Sequence, residues 1–412
     1  MFATQFASIA LWTSALAAAP SPQIPEGVST WMAPEPYPAN SEQVDAAVAR
    51  LGAVMEQAQA LEKQGRYPEA EAYWREALRQ RRWLLGERDP LVAQGLARLA
   101  GNLEQQGRYE DAELLRHQAT RLLQLASPRK TDTRLALADA YSALSYNLTK
   151  QGRARDGVAA ANAALEELRQ AHKKHGLEAA QAYSSLALAL NAQGYADAAE
   201  TAYRECLAIR LKKLGKDDLD TGTAYNNLAV ALSGYQRYDE AHMMFVKALD
   251  IRRKNGTVPD LVAETEVNTA LNLDAQKQFD RAEVLYNRAI ATWTSLYGAE
   301  DVHTATGYNG LGMNYFRRGR FEEARGQFAH AVRLREAALG HDNALTGESY
   351  GNLGLAEKGL GRDADAQRDL ETALTINERT LGLFHPDSKA LRELLGLPEP
   401  VMVNVPPVST PR

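Results

Sequence analysis

One short block of the chain recurs at a nearly fixed interval, and that interval decides what the rest can fold into. QGRYPEA (64–70) returns as QGRYEDA (106–112), and looser copies follow as QGRARDG (151–157), QGYADAA (193–199), YQRYDEA (235–241), QKQFDRA (276–282), RGRFEEA (318–324) and LGRDADA (360–366). The spacing is 42 residues, with one step of 45 into the third copy and one of 41 into the sixth. Eight such units fill residues 41–396, and a unit this small must bury its apolar face against its neighbours. The 412 residues therefore make one elongated domain rather than several separate cores.

Within each unit the apolar residues keep helical spacing. Counting from the last residue of each block, a large side chain stands sixteen earlier in seven units (Val54, Leu96, Tyr141, Tyr183, Tyr225, Tyr308, Tyr350), with Glu266 as the exception. A small residue stands twelve earlier: Ala58, Ala100, Ser145, Ala187, Ala229, Ala270, Gly312 or Gly354. After the reference residue, an aromatic often follows four later (Trp74, Tyr203, Phe245, Tyr286, Phe328) and a small residue seven later (Ala77, Ala119, Ala164, Cys206, Ala248, Ala289, Ala331, Ala373). Large beside small lets two helices approach closely at that point. The pattern predicts an all-α solenoid of helix-turn-helix units, with the single cysteine, Cys206, as a buried small residue rather than a reactive thiol.

The connections carry cap chemistry. Gly86, Gly215, Gly298, Gly340 and Gly382 follow the second helices, Asp89-Pro90 opens the next first helix, and His385-Pro386 opens a short last helix that covers unit eight. Cations near the second-helix ends (Arg81, Arg82, Arg210, Lys212, Lys213, Arg252, Arg253, Lys254, Arg333, Arg335) are expected to complement the helix dipoles. Unit three has Gly157 at the reference position and three extra residues, and unit six has Glu266 and Thr269 in place of the aromatic and the Leu, so weaker packing or a bend is expected at both.

The ends of the chain differ from this body. Residues 2–19 carry no charge and end in small residues, the layout of a signal peptide over 1–19, although the stretch before the apolar core lacks Lys or Arg. Residues 20–40 are a proline-rich linker and 397–412 a proline-rich tail. The expectation is an exported protein, periplasmic or secreted, with a cytoplasmic location as the alternative and no membrane attachment unless residues 1–19 stay uncleaved. A net charge of -5 argues against a nucleic-acid partner.

Taken together, the blocks, the stretch YNNLAVALSGYQRYDEAHMMFVKALDIRR (225–253) and the turns LGERDP and LGLFHPD (381–387) make the chain resemble the tetratricopeptide-repeat family, in the 42-residue form of kinesin light chains. That resemblance implies a right-handed superhelix whose first helices line a concave groove for a partner's extended peptide or helix. It also implies that Asn227, Asn268 and Asn352, with Asn226 and Asn309 beside them, face the groove. An amide offers both a donor and an acceptor to a peptide backbone, though it can equally satisfy a neighbouring helix. The slot where a Lys/Asn carboxylate clamp would need Asn reads Gln59, Gly101, Tyr146, Leu188, Val230, Leu271, Met313 and Leu355, which predicts a partly apolar floor instead.

Catalytic and metal chemistry find little support. GESYG (347–351) matches a nucleophile elbow by letter, but Ser349 sits within a helix rather than after a strand. His172 and His175 lack a third ligand and are flanked by lysines, and no phosphate or dinucleotide loop is present. Asn147 and Asn255 fall in glycosylation sequons, the first within a helix. The expected function is a non-catalytic scaffold without cofactor or metal that binds a protein partner; the alternative is a self-assembling structural protein, since oligomerisation through the open solenoid ends or groove fits the same sequence.

Overall fold

The computed structural model describes residues 41–63, 66–126, 130–173, 175–256 and 258–399. The expected leader, the proline-rich linker and the tail beyond residue 399 lie outside them. Among the described residues there are seventeen helices and no strand. First helices of the eight units are α1 (Ser41–Lys63), α3 (Pro90–Gln105), α5 (Thr131–Lys150), α7 (Leu177–Ala192), α9 (Leu219–Gly234), α11 (Pro259–Ala275), α13 (Val302–Arg317) and α15 (Ala344–Gly359). Each is followed by its second helix: α2 (Tyr67–Leu85), α4 (Tyr109–Leu125), α6 (Ala154–Gln170), α8 (Ala196–Lys213), α10 (Tyr238–Asn255), α12 (Phe279–Tyr297), α14 (Phe321–Leu339) and α16 (Asp363–Thr380). The last helix, α17 (Pro386–Leu394), buries Leu391 against unit eight.

The repeated block is the turn between the two helices of a unit. A residue at positive φ ends the first helix, and the next residue, usually arginine, pairs with an acid three positions on: Arg108 with Asp111, Arg153 with Asp156, Arg237 with Glu240. Gly107, Gly152, Gly194, Gly319 and Gly361 take the positive φ, whereas units five and six use Gln236 (φ 62) and Lys277 (φ 59). At the opposite edge, Asp89, Asp218, Asp301 and Asn343 cap first helices by accepting from the backbone N–H two residues later. The five glycines after second helices all have positive φ, as their position predicts.

Small residues set how closely the two helices pack. Ala58, Ala100, Ala187, Ala229 and Ala270 are fully buried, as are Ala164, Ala248, Ala289, Ala331 and Ala373 across from them. A Cβ added to Gly312 would stand 2.7 Å from the Phe328 ring, so the repeat aromatic fills the space that the small residue leaves. Cys206 is buried in the same slot, and burial raises its thiol pKa.

Successive units are also joined by polar staples. Arg108, Arg153, Arg237 and Arg362 bond Glu71, Glu113, Glu200 and Glu322 of the preceding second helix. Asn147, Asn272 and Asn314 donate to the first carbonyls of the preceding second helices, those of Tyr109, Tyr238 and Phe279. The helix-end cations do more than complement dipoles: Arg81, Arg210, Arg252 and Arg335 each donate to a carbonyl in the first turn of the next unit, those of Leu91, Asp220, Leu261 and Leu345.

Curvature follows from unequal contact on the two sides. First helices of neighbouring units touch each other more than second helices do, which places the first helices on the inside of the curve. The closest such pair is α5 and α7. Gly157 of α6 lies beside both: a Cβ there would meet Thr149 Oγ1 of α5 at 2.4 Å and Ala189 Cβ of α7 at 3.3 Å, so the missing side chain lets α6 seat closely against the pair. Unit three is thus packed tightly, not weakly, against unit four. Unit six is not loose either, because the Glu266 carboxylate is buried between Arg253 (2.9 Å) and Arg288 (2.7 Å), while Thr269 turns its hydroxyl back to the Thr265 carbonyl.

Candidate partner-binding groove

The inner stripe of a first helix can be followed along α5, where Asp139, Tyr146 and Lys150 recur at i, i+7 and i+11 and the Lys150 ammonium lies 5.6 Å from the Tyr146 ring centre. Glu264 and Leu271 hold the matching places on α11, and Glu348 and Leu355 on α15. Glu264 is 42% exposed, yet the protein around it desolvates the carboxylate and raises its pKa, against the nearby Arg252 and with help from Asp260. Asp139 behaves the same way: exposed, raised mainly by desolvation. A group that is both accessible and poorly hydrated sits on the wall of a concavity.

The floor is partly apolar. Tyr146, Leu188 and Leu355 are half-buried, while Val230, Leu271 and Met313 are buried between neighbouring first helices. Of the five asparagines expected at the groove, four are spent on stacking. Asn268 donates to Asn226 Oδ1 at 3.2 Å, Asn352 donates to Asn309 Oδ1 at 3.0 Å, and Asn309 donates to Glu348. All four are at most 6% exposed, because amides on adjacent first helices meet face to face where those helices converge. Asn227 alone is half-buried, and its Oδ1 has no hydrogen-bond partner among the described residues.

The solenoid turns far enough for its two halves to meet. Units two and three present the turn residues Gln106–Asp111 and Lys150–Arg153, and unit eight presents Asp342–Leu345 and Arg379–Asp387. Between them lies a gap of about 550 Å³ that also reaches Glu348. An added Cβ on Gly107 would stand 3.5 Å from Asn343 Nδ2, and one on Gly152 would stand 3.2 Å from His385 Cδ2. Burial here pushes Lys150 down to about 8 and, together with Glu348, pushes Asp387 up to about 6; it also lowers His385. Nothing in the repeat pattern marks this seam, because its two sides lie 189 to 281 positions apart.

The other candidates have structural partners. Ser349 is buried and accepts a hydrogen bond from Arg335 at 2.8 Å, inside α15 as its sequence context requires. Asn147 is fully buried and donates to Glu104 and the Tyr109 carbonyl, so its sequon is inaccessible in the folded chain. His172 and His175 flank the turn after α6, both exposed. No helix among the described residues is long and apolar enough to cross a membrane.

Comparison with known proteins fits this architecture. The tetratricopeptide-repeat profile matches residues 50–124, 178–254, 261–337 and 303–379, leaving the third unit outside the matched stretches. No curated protein sequence matches the chain significantly. Among solved structures, BtubC (BKLC) from P. vanneervenii is 27% identical, over 57% of this chain and 94% of that one, with a TM-score of 0.45. A putative kinesin light chain repeat protein from Podosopora anserina is 19% identical over 48% and 95%, with a TM-score of 0.40. A Rap protein complexed with Competence and Sporulation Factor is 13% identical over 84% and 99%, with a TM-score of 0.54. With helix pairs, packing positions and sequence profile in agreement over most of its length, the chain belongs to the tetratricopeptide-repeat family.

Proposed function

We propose that the protein is a non-catalytic scaffold whose inner wall receives an extended or helical segment of a protein partner. The observation that carries this reading is the set of inner-wall side chains that stacking leaves over: the exposed Asp139 and Glu264, and the half-buried Tyr146, Leu188, Leu355 and Asn227. Apolar surface supplies affinity for such a segment, and the polar groups beside it fix its register. Export is part of the proposal, on the strength of the uncharged residues 2–19, and N-terminal sequencing of the mature protein decides it.

Affinity capture with the full chain, followed by peptide mapping of the captured partner, tests the groove. Asn227→Ala with Glu264→Gln is expected to reduce capture while leaving thermal stability near that of the parent. Undiminished capture by this variant would remove the groove from the binding surface. Asn268 and Asn309 are unsuitable for the test, since their loss disturbs stacking whether or not they touch a partner.

A further inference from the structure

The slot sixteen residues before each reference position holds a large apolar or aromatic side chain in every unit but the sixth. Where it is a tyrosine, the ring packs against the second helices beside it. The Lys247 ammonium lies 5.2 Å from the Tyr225 ring centre, the His330 ring lies 4.3 Å from that of Tyr308, and the Tyr350 hydroxyl donates to Glu336. Lys247 and His330 hold the place on their helices that Arg288 holds on α12, and Glu336 holds the place on α14 that Arg253 holds on α10. Unit six keeps these walls and lacks the ring. Glu266 stands in the slot, and Thr292 replaces the aliphatic residue found ten past the reference position elsewhere (Leu122, Ile209, Ile251, Leu334, Ile376). The ion pairs of Glu266 with Arg253 and Arg288 tie the helices together but do not fill the volume. A cavity of about 450 Å³ is left between α10 and α12, with Val262 and Glu266 of α11 between them. Sites for small ligands have volumes of ~300–1,000 Å³. Because the second helices lie outside the curve, this cavity is on the outer side of the stack, away from the inner wall.

The charge around the cavity is uneven. Arg252, Arg253 and Arg288 line it against a single carboxylate, and both Arg253 and Arg288 donate to the same oxygen, Glu266 Oε1. A guanidinium carries five N–H donors, and these two side chains are 43% and 53% exposed, so each is able to hold a second carboxylate while keeping the first. We propose that this cavity is a binding site for a small aromatic carboxylate. Its ring takes the volume that a repeat tyrosine fills in other units, beside Arg288 as Tyr225 lies beside Lys247. Its carboxylate pairs with the exposed edges of Arg253 and Arg288. An aliphatic acid would leave the ring slot empty, and an uncharged ring would leave the arginine donors to water. The site is separate from the groove and stands whatever segment the inner wall binds.

Saturation-transfer NMR titrations of the full chain test it, with para-hydroxyphenylacetate as the probe. A dissociation constant on the order of 1 mM is expected, as a ligand of this size allows. Two controls divide the probe: para-hydroxybenzyl alcohol has the ring without the carboxylate, and acetate has the carboxylate without the ring. Each is expected to bind at least about tenfold more weakly. Glu266→Tyr restores the repeat residue, and Thr292→Ile restores the aliphatic one while leaving the Glu266 ion pairs in place. Either change fills the cavity and is expected to weaken binding of the probe by at least about tenfold. The absence of saturable binding to the parent overturns the proposal, as does either control binding as tightly as the probe. Undiminished binding by either variant, once circular dichroism shows it folded, also overturns it. Should Glu266→Tyr fail to fold, Thr292→Ile alone decides: binding weakened, the site stands; binding unchanged, it falls.

Discussion

Arg153 grips both carboxylate oxygens of Glu113, at 2.8 and 2.9 Å, across forty residues of sequence. The arginine belongs to the recurring block and the glutamate to the second helix of the unit before. The block is therefore both a turn and a clasp: the same side chain that steadies its own helix start through Asp156 ties that helix to its neighbour. Exposed pairs of this type contribute little singly, about 0–1 kcal/mol each, and their repetition fixes the register of stacking more than its strength.

Buried pairs matter more. Arg116 binds Glu104 through two hydrogen bonds of 3.1 and 2.7 Å, with both residues less than 10% exposed. Arg116→Leu strands a buried carboxylate and is expected to lower stability by about 3 kcal/mol in urea unfolding. Adding Glu104→Leu is expected to recover at least a third of that loss, because no charge is then left without its partner.

Units five and six lack the turn glycine. Gln236 and Lys277 hold positive φ at a steric cost that glycine does not have. Gln236→Gly and Lys277→Gly are each expected to raise stability by about 0.5–1 kcal/mol, the relief of left-handed strain less the extra entropy of the unfolded chain. Thermal melts of the two single variants and their combination check both the sign and the additivity.

Asp274 gives the fold a pH dependence of a definite sign. Its buried carboxyl is pushed up to about 6 chiefly by desolvation, despite hydrogen bonds from Asn314 and Tyr286 and the nearby Arg317. A group raised in the folded state favours folding in its protonated form, so its contribution is complete below about pH 4 and is lost as pH rises through 6. Asp274→Asn should therefore stabilise the protein at pH 7.5, by about 1–2 kcal/mol, and the advantage should shrink towards pH 4. Urea titrations at three pH values read this directly.

Cys206 occupies a position where seven other units have alanine. Cys206→Ala is expected to change stability by less than about 1.5 kcal/mol, as volume-near core exchanges do. The native thiol is expected to resist Ellman's reagent until urea unfolds the chain, since it is buried and its pKa is raised.

Several features are legible in the sequence alone. The turn blocks, the Ala and Gly contact points and the cap residues depend on φ, on helical period and on side-chain volume within one unit, and these are local quantities. The inner asparagines are only half legible. Their spacing puts them on the right helices, but whether an amide faces a partner or another amide depends on how closely adjacent helices converge, which is how Asn268 comes to meet Asn226. Glu266 shows the same limit: a charge in an aromatic slot reads as a defect until Arg253 and Arg288 are found around it.

By itself the sequence determined the repeat, its length, the pairing of helices and the one-domain architecture, because an interval of 42 residues with helical spacing admits no other way to bury its apolar face. Only the tertiary structure decided the curvature, the destination of the helix-end arginines and the seam that brings Gly152 beside His385. Those depend on small angles added over successive joints, and no single unit contains the information that fixes their sum.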